Sequence, residues 1–200
     1  MVVLIMGFSK SGTTMTARAL HKAGINFGIE QDGKYPGQPY EEEVGCSLIM
    51  QQIGAPKKDS LFLPENIVVK RKEVEQYCMY RYERNRNWGF KFPYITFVYQ
   101  YWKQFLPDHI AIALKRSPES VITHYTKNRK KFDMRKAKRV WKVQAEYNEL
   151  IDSYKIPVFH FEKILAEGFG EVEKLFGIKI PDVRNYQGIG DGNKYYRRKK

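Results

Sequence analysis

The stretch that most constrains this chain is Gly7-Phe8-Ser9-Lys10-Ser11-Gly12-Thr13-Thr14, set between an apolar run, Val2 to Met6, and a segment of helical spacing, Thr14 to Ala23. The apolar run reads as a buried parallel strand, and Ala17, Leu20 and Ala23 fall on one side of the helix that follows. A glycine loop between strand and helix aims several backbone N–H groups at one point, and the positive end of the helix dipole adds to them. Such a point attracts a phosphate or a sulfate. A turn that merely joins a strand to a helix has the same glycine signature, so the rest of the chain must decide between the two.

The separation of Gly7 and Gly12 is that of a Walker A loop, but the position after the second glycine holds Thr13 where such a loop has its lysine. The lysine here is Lys10, inside the loop. A nucleotide-hydrolysing loop uses the later lysine to reach the β- and γ-phosphates and the next Ser or Thr to hold magnesium. Moving the lysine changes the atoms it can touch, which argues against an ordinary ATPase or GTPase. Lys10-Ser11-Gly12-Thr13-Thr14 after a hydrophobic strand resembles the 5′-phosphosulfate loop of the sulfotransferases that use 3′-phosphoadenosine 5′-phosphosulfate (PAPS).

A length of 200 residues predicts a single domain over 1–200 with room for a real core. No stretch approaches the roughly 18 to 20 apolar residues of a membrane span. The first apolar run is too short for a signal peptide and has no basic leader, so the expectation is a cytoplasmic protein. Cys46 and Cys78 are the only cysteines and lie far apart, which suggests two free thiols and neither a disulfide framework nor a zinc site. The formal net charge of +13 attracts polyanions: a nucleotide, an anionic glycan, a lipid surface or nucleic acid.

Along the chain, Gly24 to Gly28 is compatible with a short second strand, and residues 31–40 read as an exposed loop. Tyr40-Glu41-Glu42-Glu43 opens an expected helix that runs to about Ile53. Its acids suit the start of a helix dipole; alternatively, one of them is a general base close to the phosphate site. A long mixed segment, Asn66 to Arg86, carries Val68, Val69, Val74, Tyr77, Cys78 and Tyr82 at spacings compatible with one helical face. Trp88 to Pro93 reads as a short strand stopped by proline, Tyr94 to Phe105 as an aromatic helix, and His109 to Leu114 as a second buried strand.

Lys115-Arg116-Ser117-Pro118 follows that strand and opens a helix. A charged pair at the carboxyl end of a buried parallel strand sits where open α/β sheets bind ligands. Met134 to Tyr154 is amphipathic, with Val140, Trp141, Ala145, Tyr147, Leu150 and Ile151 expected on its apolar side. The segment from Lys127 to Lys142 holds nine basic residues and one acid, which makes either a solvated face or a guide for an anionic acceptor. Pro157 to Phe161 is a further short strand, Gly170 to Gly177 a small helix, and Asn185 to Lys200 a basic tail. The alternation of strands and helices predicts an α/β fold, three-layer α/β/α around a central parallel sheet.

Three more stretches resemble the same PAPS-dependent sulfotransferase family, in order along the chain. Trp88-Gly89-Phe90-Lys91-Phe92-Pro93 is similar to the family's short lysine-bearing strand. Leu114 to Ile122, with its Arg116-Ser117-Pro118-Glu119-Ser120-Val121, is similar to the Arg-x-Pro-x-x-Val segment that binds the 3′-phosphate. Phe159-His160-Phe161-Glu162-Lys163-Ile164-Leu165 and the helix after it resemble the tyrosine-glutamate-acidic-leucine strand. The resemblance spans nearly the whole chain and implies a P-loop NTPase-like sulfotransferase fold and sulfuryl transfer from PAPS to a hydroxyl or amine, without a metal.

By that resemblance Ser9, Lys10, Ser11, Gly12, Thr13 and Thr14 cradle the 5′-phosphosulfate. Arg116 takes the 3′-phosphate, for which a planar guanidinium fork is suited. Lys10 offsets charge on the bridging oxygen, and Lys91 assists at the sulfate. The sequence also departs from the family. The serine that many members carry eight residues after the arginine is His124 here, beside Thr123, and either side chain can donate a hydrogen bond to the 3′-phosphate. Pro93 stands where the small-molecule branch has its base histidine. Other branches use a glutamate after the first helix, which makes Glu41 the candidate base with Glu42 behind it. Gly188 to Lys194 is similar to the loop that closes over the 3′-phosphate, without the preceding basic pair.

His21, His109 and His160 show no metal spacing, and His160 is expected as a satisfied core histidine. Tyr94, Phe97, Tyr99, Tyr101 and Trp102 are expected to pack helix on sheet, with one of them available to stack on adenine. Two other functions remain open at this point. A P-loop nucleotide or metabolite kinase would need a lysine at the Walker position and a magnesium-holding acid at a strand end. A non-catalytic nucleic-acid-binding module on the same fold would use the positive charge and the tyrosines, and would bind with steep salt dependence. The acceptor is an unidentified hydroxyl or amine, with a glycan or other anionic molecule as one class.

Overall fold

The computed structural model describes residues 1–27, 40–54, 63–128 and 133–182, and for residues 40–44 and 127–128 the backbone alone. Four parallel strands form one sheet in the order β2-β1-β3-β4: β1 (Val2–Gly7), β2 (Trp88–Lys91), β3 (His109–Lys115) and β4 (Val158–His160). β1 pairs with β3 from Val2↔His109 to Gly7↔Leu114, and with β2 from Val2↔Trp88 to Ile5↔Lys91. β4 completes the sheet through Leu114↔Phe159 and Lys115↔His160. In place of a strand over 24–28, the described residues contain a single parallel bridge, Asn26↔Trp88. Gly28 itself lies outside them.

β1 is fully buried on both faces, which explains its unbroken apolar run. Its alternating side chains feed two separate cores. Val2, Leu4 and Met6 join one core with residues of α2 (Tyr40–Ile53), α3 (Arg71–Arg84), α4 (Ile95–Trp102), α5 (Pro118–Asn128) and α6 (Met134–Ser153). Val3 and Ile5 join the other, with α1 (Thr13–Lys22), α7 (Phe161–Glu167) and α8 (Gly170–Phe176). β2 and β3 divide in the same way: Trp88 and Phe90 face the first core, Ile112 and Leu114 the second. This is the three-layer α/β/α arrangement expected from the sequence. Where β2 turns a position toward α1's side it uses Gly89, because a Cβ there would lie 2.2 Å from the Phe27 ring.

Several element boundaries moved. α3 starts at Arg71, so Val68 and Val69 precede it and are exposed, and Tyr82 also faces outward. Its buried side is Val74, Tyr77, Cys78 and Arg81, and the Arg81 guanidinium lies 4.9 Å from the Trp88 ring centre. On α6 the inward set is Val140, Val143, Gln144, Tyr147 and Ile151, while Trp141 and Ala145 are exposed. The basic residues Arg135, Lys136, Lys138, Arg139 and Lys142 of that helix are all exposed, as a solvated face would be. His160 ends β4 with its side chain in solvent, contrary to the expectation of a core histidine, because β4 is an edge strand only three residues long. Cys46 and Cys78 are free and buried.

Of the aromatic set, Tyr94, Phe97, Tyr99 and Trp102 are buried, and Trp102 stacks on Phe90 at 5.9 Å. Their role is packing of α4 on the sheet. Tyr154 on the adjoining helix end donates from its hydroxyl to Thr96 O and meets Tyr99 edge to face. Among the described residues no helix is long and apolar enough to cross a membrane.

Candidate functional site

Because the four strands are parallel, their carboxyl ends share one edge of the sheet. That edge carries the loop from Gly7 to Gly12 after β1, Lys91 closing β2, Lys115 and Arg116 at the end of β3, and Phe161 and Glu162 after β4. β1 lies between β2 and β3, so the chain goes to one side of the first strand and then to the other. Ligands in open α/β sheets bind at such a reversal.

The loop is shaped by backbone conformations that favour glycine. Gly7 has φ 143°, and a Cβ on it would meet Leu114 O at 2.5 Å and Ser11 Oγ at 2.7 Å. Gly12 has φ 93° and caps α1, with no side chain bonded to the helix N-terminus. The first-turn N–H groups of a helix have no acceptor within it, and here no cap side chain occupies them. Lys10 is one of two non-glycine residues with positive φ among those described, at 74°, and its side chain is exposed.

Ser11 behaves differently from its neighbours. It is fully buried, its N–H donates to Phe8 O at 3.1 Å and its hydroxyl donates to the same carbonyl at 2.6 Å. Both donors of Ser11 therefore close the loop internally. Thr13 is also buried, whereas Thr14 is exposed and Ser9 and Gly12 are half-buried.

Arg116 is brought onto this loop from β3. Its Nη1 donates to Lys10 O at 3.0 Å, and its guanidinium carbon lies 5.1 Å from the centre of the Phe161 ring. Glu162 Oε1 is 3.9 Å from Arg116 Nε, an ion pair too long to be a hydrogen bond. That Nε is buried and has no hydrogen-bond partner among the described residues. Half-burial lowers the Arg116 pKa and the Glu162 charge opposes the change; a guanidinium remains cationic at neutral pH in either case.

The backbone beside Arg116 is equally constrained. The fully buried Gln144 donates from Nε2 to Arg116 O at 2.5 Å. Ser117 caps α5, its hydroxyl accepting from Ser120 N at 3.2 Å and donating to Ser120 Oγ at 2.8 Å. The Ser117 N–H in turn donates to Glu162 Oε1 at 3.0 Å. Partial burial pushes the Glu162 carboxyl up, but hydrogen bonds from Ser117 N, its own N–H and the Ser120 hydroxyl outweigh it and hold the group below the usual range. Lys115 turns the other way and pairs with Asp152 at 2.5 Å.

Of the remaining expected residues, Lys91, Thr123 and His124 are described. Lys91 is half-buried at the end of β2, paired in the ladder with Ile5, two residues before Gly7. Thr123 is exposed on α5 and His124, half-buried, meets Tyr125 edge to face at 6.4 Å. The side chains of Glu41 and Glu42 lie outside the described residues, although the backbone of α2 does start at Tyr40. Gly188 to Lys194 and the tail 185–200 lie outside them too.

Three residues at the site were not identified as such from the sequence: Phe161, Glu162 and Gln144. Phe161 packs against Gly12 and Arg116 together, a role visible only once β4 is known to lie beside β3. Glu162 had one available signal, an acid directly after a short apolar strand. Gln144 had another, a polar residue on the apolar stripe of α6.

No family model matches the sequence, and no curated protein matches it. Solved structures do share its architecture. The sulfotransferase domain of the Synechococcus PCC 7002 olefin synthase superposes with a TM-score of 0.55 at 14% identity, over 90% of this chain and 74% of that one. A sulfotransferase domain from the curacin biosynthetic pathway gives 0.51 at 12% identity, again over 90% and 74%. With a parallel sheet, helices on both faces and a glycine loop opening α1, the chain has the P-loop α/β/α fold found in sulfotransferase domains.

Proposed function

We propose that this chain is a sulfotransferase that moves a sulfuryl group from PAPS to a hydroxyl or amine of its acceptor. The observation that carries the reading is the pairing of the glycine loop with Arg116: a lysine inside the loop, threonine at the Walker lysine position, and a guanidinium bonded to the loop from the next strand. Two cationic groups on one edge suit a nucleotide with separate 5′ and 3′ phosphate groups. The shared fold with sulfotransferase domains supports the same reading.

The residues fit PAPS in chemistry. PAPS supplies the activated sulfuryl group and a phosphate leaving group. The open N–H groups at the start of α1, with the dipole behind them, hold the 5′-phosphate. Ser11 serves this loop by closing it, so the amides of Gly12 to Thr14 do the holding. Lys10, exposed and kept at the loop crest by its positive φ, offsets negative charge on the departing phosphate oxygen, and Lys91 offsets charge on the sulfuryl oxygens. Arg116 forks onto the 3′-phosphate, with His124 or Thr123 in the second turn of α5 donating alongside. Glu41 takes the acceptor proton, and the orientation of donor and acceptor supplies the rest of the acceleration.

The test is calorimetric titration with adenosine 3′,5′-bisphosphate, the product nucleotide, against 5′-AMP and ATP with magnesium. Binding that requires the 3′-phosphate and weakens in Lys10→Ala and Arg116→Ala is expected. Preference for ATP with magnesium, or binding of nucleic acid with no preference for the bisphosphate, would overturn the proposal.

A further inference from the structure

An arginine that recognises one phosphate binds it better when aimed before the ligand arrives, since its long side chain otherwise loses rotamer entropy on being fixed. Arg116 is aimed by three contacts: Lys10 O on Nη1, the face of Phe161 under the guanidinium, and Glu162 toward Nε. Of the three, Glu162 alone has a second hold on the same segment. The carboxylate oxygen that faces Nε also accepts from the N–H of Ser117, the residue directly after the arginine. Ser117 in turn caps α5. Glu162 thus fixes both the guanidinium and the backbone from which it projects.

We infer that Glu162 is a positioning residue that sets selectivity for the 3′-phosphate through Arg116, without touching the nucleotide itself. This rests on the reading of Arg116 as the 3′-phosphate ligand. The buried Nε stays 3.9 Å from the carboxylate, so the guidance is by charge and leaves the guanidinium able to turn its outer N–H groups to an incoming phosphate. A carboxylate that merely holds the Ser117 N–H would need only an oxygen acceptor. Glutamine provides that acceptor and lacks the charge, which separates the two roles.

The experiment compares wild type, Glu162→Gln and Glu162→Ala, each titrated with adenosine 3′,5′-bisphosphate and with 5′-AMP, and follows the Arg116 Nε–H signal by NMR without nucleotide. In Glu162→Gln the preference for the bisphosphate is expected to fall about tenfold with unfolding stability close to wild type, and Nε–H exchange with solvent to accelerate. Glu162→Ala should show the same loss of preference and lower stability in addition. An unchanged preference, a preference that rises, or Nε–H exchange identical to wild type in Glu162→Gln would overturn the inference. A wild-type protein that fails to distinguish the two nucleotides would instead remove the functional proposal, and the exchange measurement would still report whether Glu162 holds Arg116.

Discussion

Gly12 and Phe161 touch so closely that position 12 has no room for a side chain: a Cβ there would lie 2.0 Å from the edge of the ring. The two residues lie far apart in the chain and meet beside the guanidinium of Arg116. Gly12→Ala forces the ring to move and imposes positive φ on an L-residue, and should cost roughly 2–5 kcal/mol from overpacking and backbone strain together. Urea unfolding measures the loss. In the double variant with Phe161→Ala the two effects should be strongly non-additive, because the space that alanine needs is then open.

Lys10 separates stability from activity. Its positive φ is a cost that glycine relieves, offset by the greater freedom of glycine in the unfolded chain, so Lys10→Gly should stay within about 1 kcal/mol of wild type in stability. The carbonyl that holds Arg116 belongs to the backbone and is kept. Turnover with PAPS should nevertheless fall about 100- to 1,000-fold, the usual loss when one charge-stabilising donor is removed. Turnover unchanged in a folded Lys10→Gly protein would take Lys10 out of the chemistry.

Gln144→Leu removes the donor to Arg116 O while filling nearly the same volume. It leaves a half-buried carbonyl short of its partner, at a cost of about 1 kcal/mol. Because that carbonyl belongs to the arginine, bisphosphate affinity should weaken along with stability, whereas 5′-AMP affinity should hold. Thermal unfolding and calorimetry on one preparation test both parts.

The loop, the three layers and the parallel sheet were legible in the sequence because each rests on local signals: an uninterrupted apolar run before a glycine loop, and helical spacing after it. Arg116 was legible for a related reason, since a strand end announces where a side chain can reach. The partners of Arg116 were not. Phe161 and Glu162 come from a strand whose neighbour is fixed by sheet order, and no periodicity within residues 157–162 encodes that β4 lies beside β3. The reading of α6 was right in part for a similar reason. Val140, Tyr147 and Ile151 are buried as expected, whereas Trp141 and Ala145 are exposed and the tertiary neighbours bring Val143 and Gln144 inward.

Burial also gives the fold an alkaline limit. The Cys78 thiol is pushed up from 9.0 to about 12 by burial. The folded state therefore retains the proton that the unfolded chain gives up, and stability is fully present below pH 9 and lost as pH rises toward 12. The gap is worth at most roughly 4 kcal/mol. Burial raises Tyr147 and Tyr154 in the same sense. Cys78→Ala should show a flatter loss of stability over this window, and wild-type protein at pH 8 should leave thiol reagents unreacted at Cys78 until it unfolds.

The register of β1 against β3 pairs Gly7 with Leu114, which places Arg116 two residues beyond the partner of the glycine where the loop begins. The separation between the start of the loop and the backbone of Arg116 is thus set by backbone hydrogen bonds, and Phe161 and Glu162 direct the guanidinium from there. Slipping the strands by one residue would displace the arginine by about 3.3 Å and turn it to the other face of the sheet. The sheet works as a ruler, and under the proposed function a nucleotide with its phosphate groups differently spaced would not match its marks.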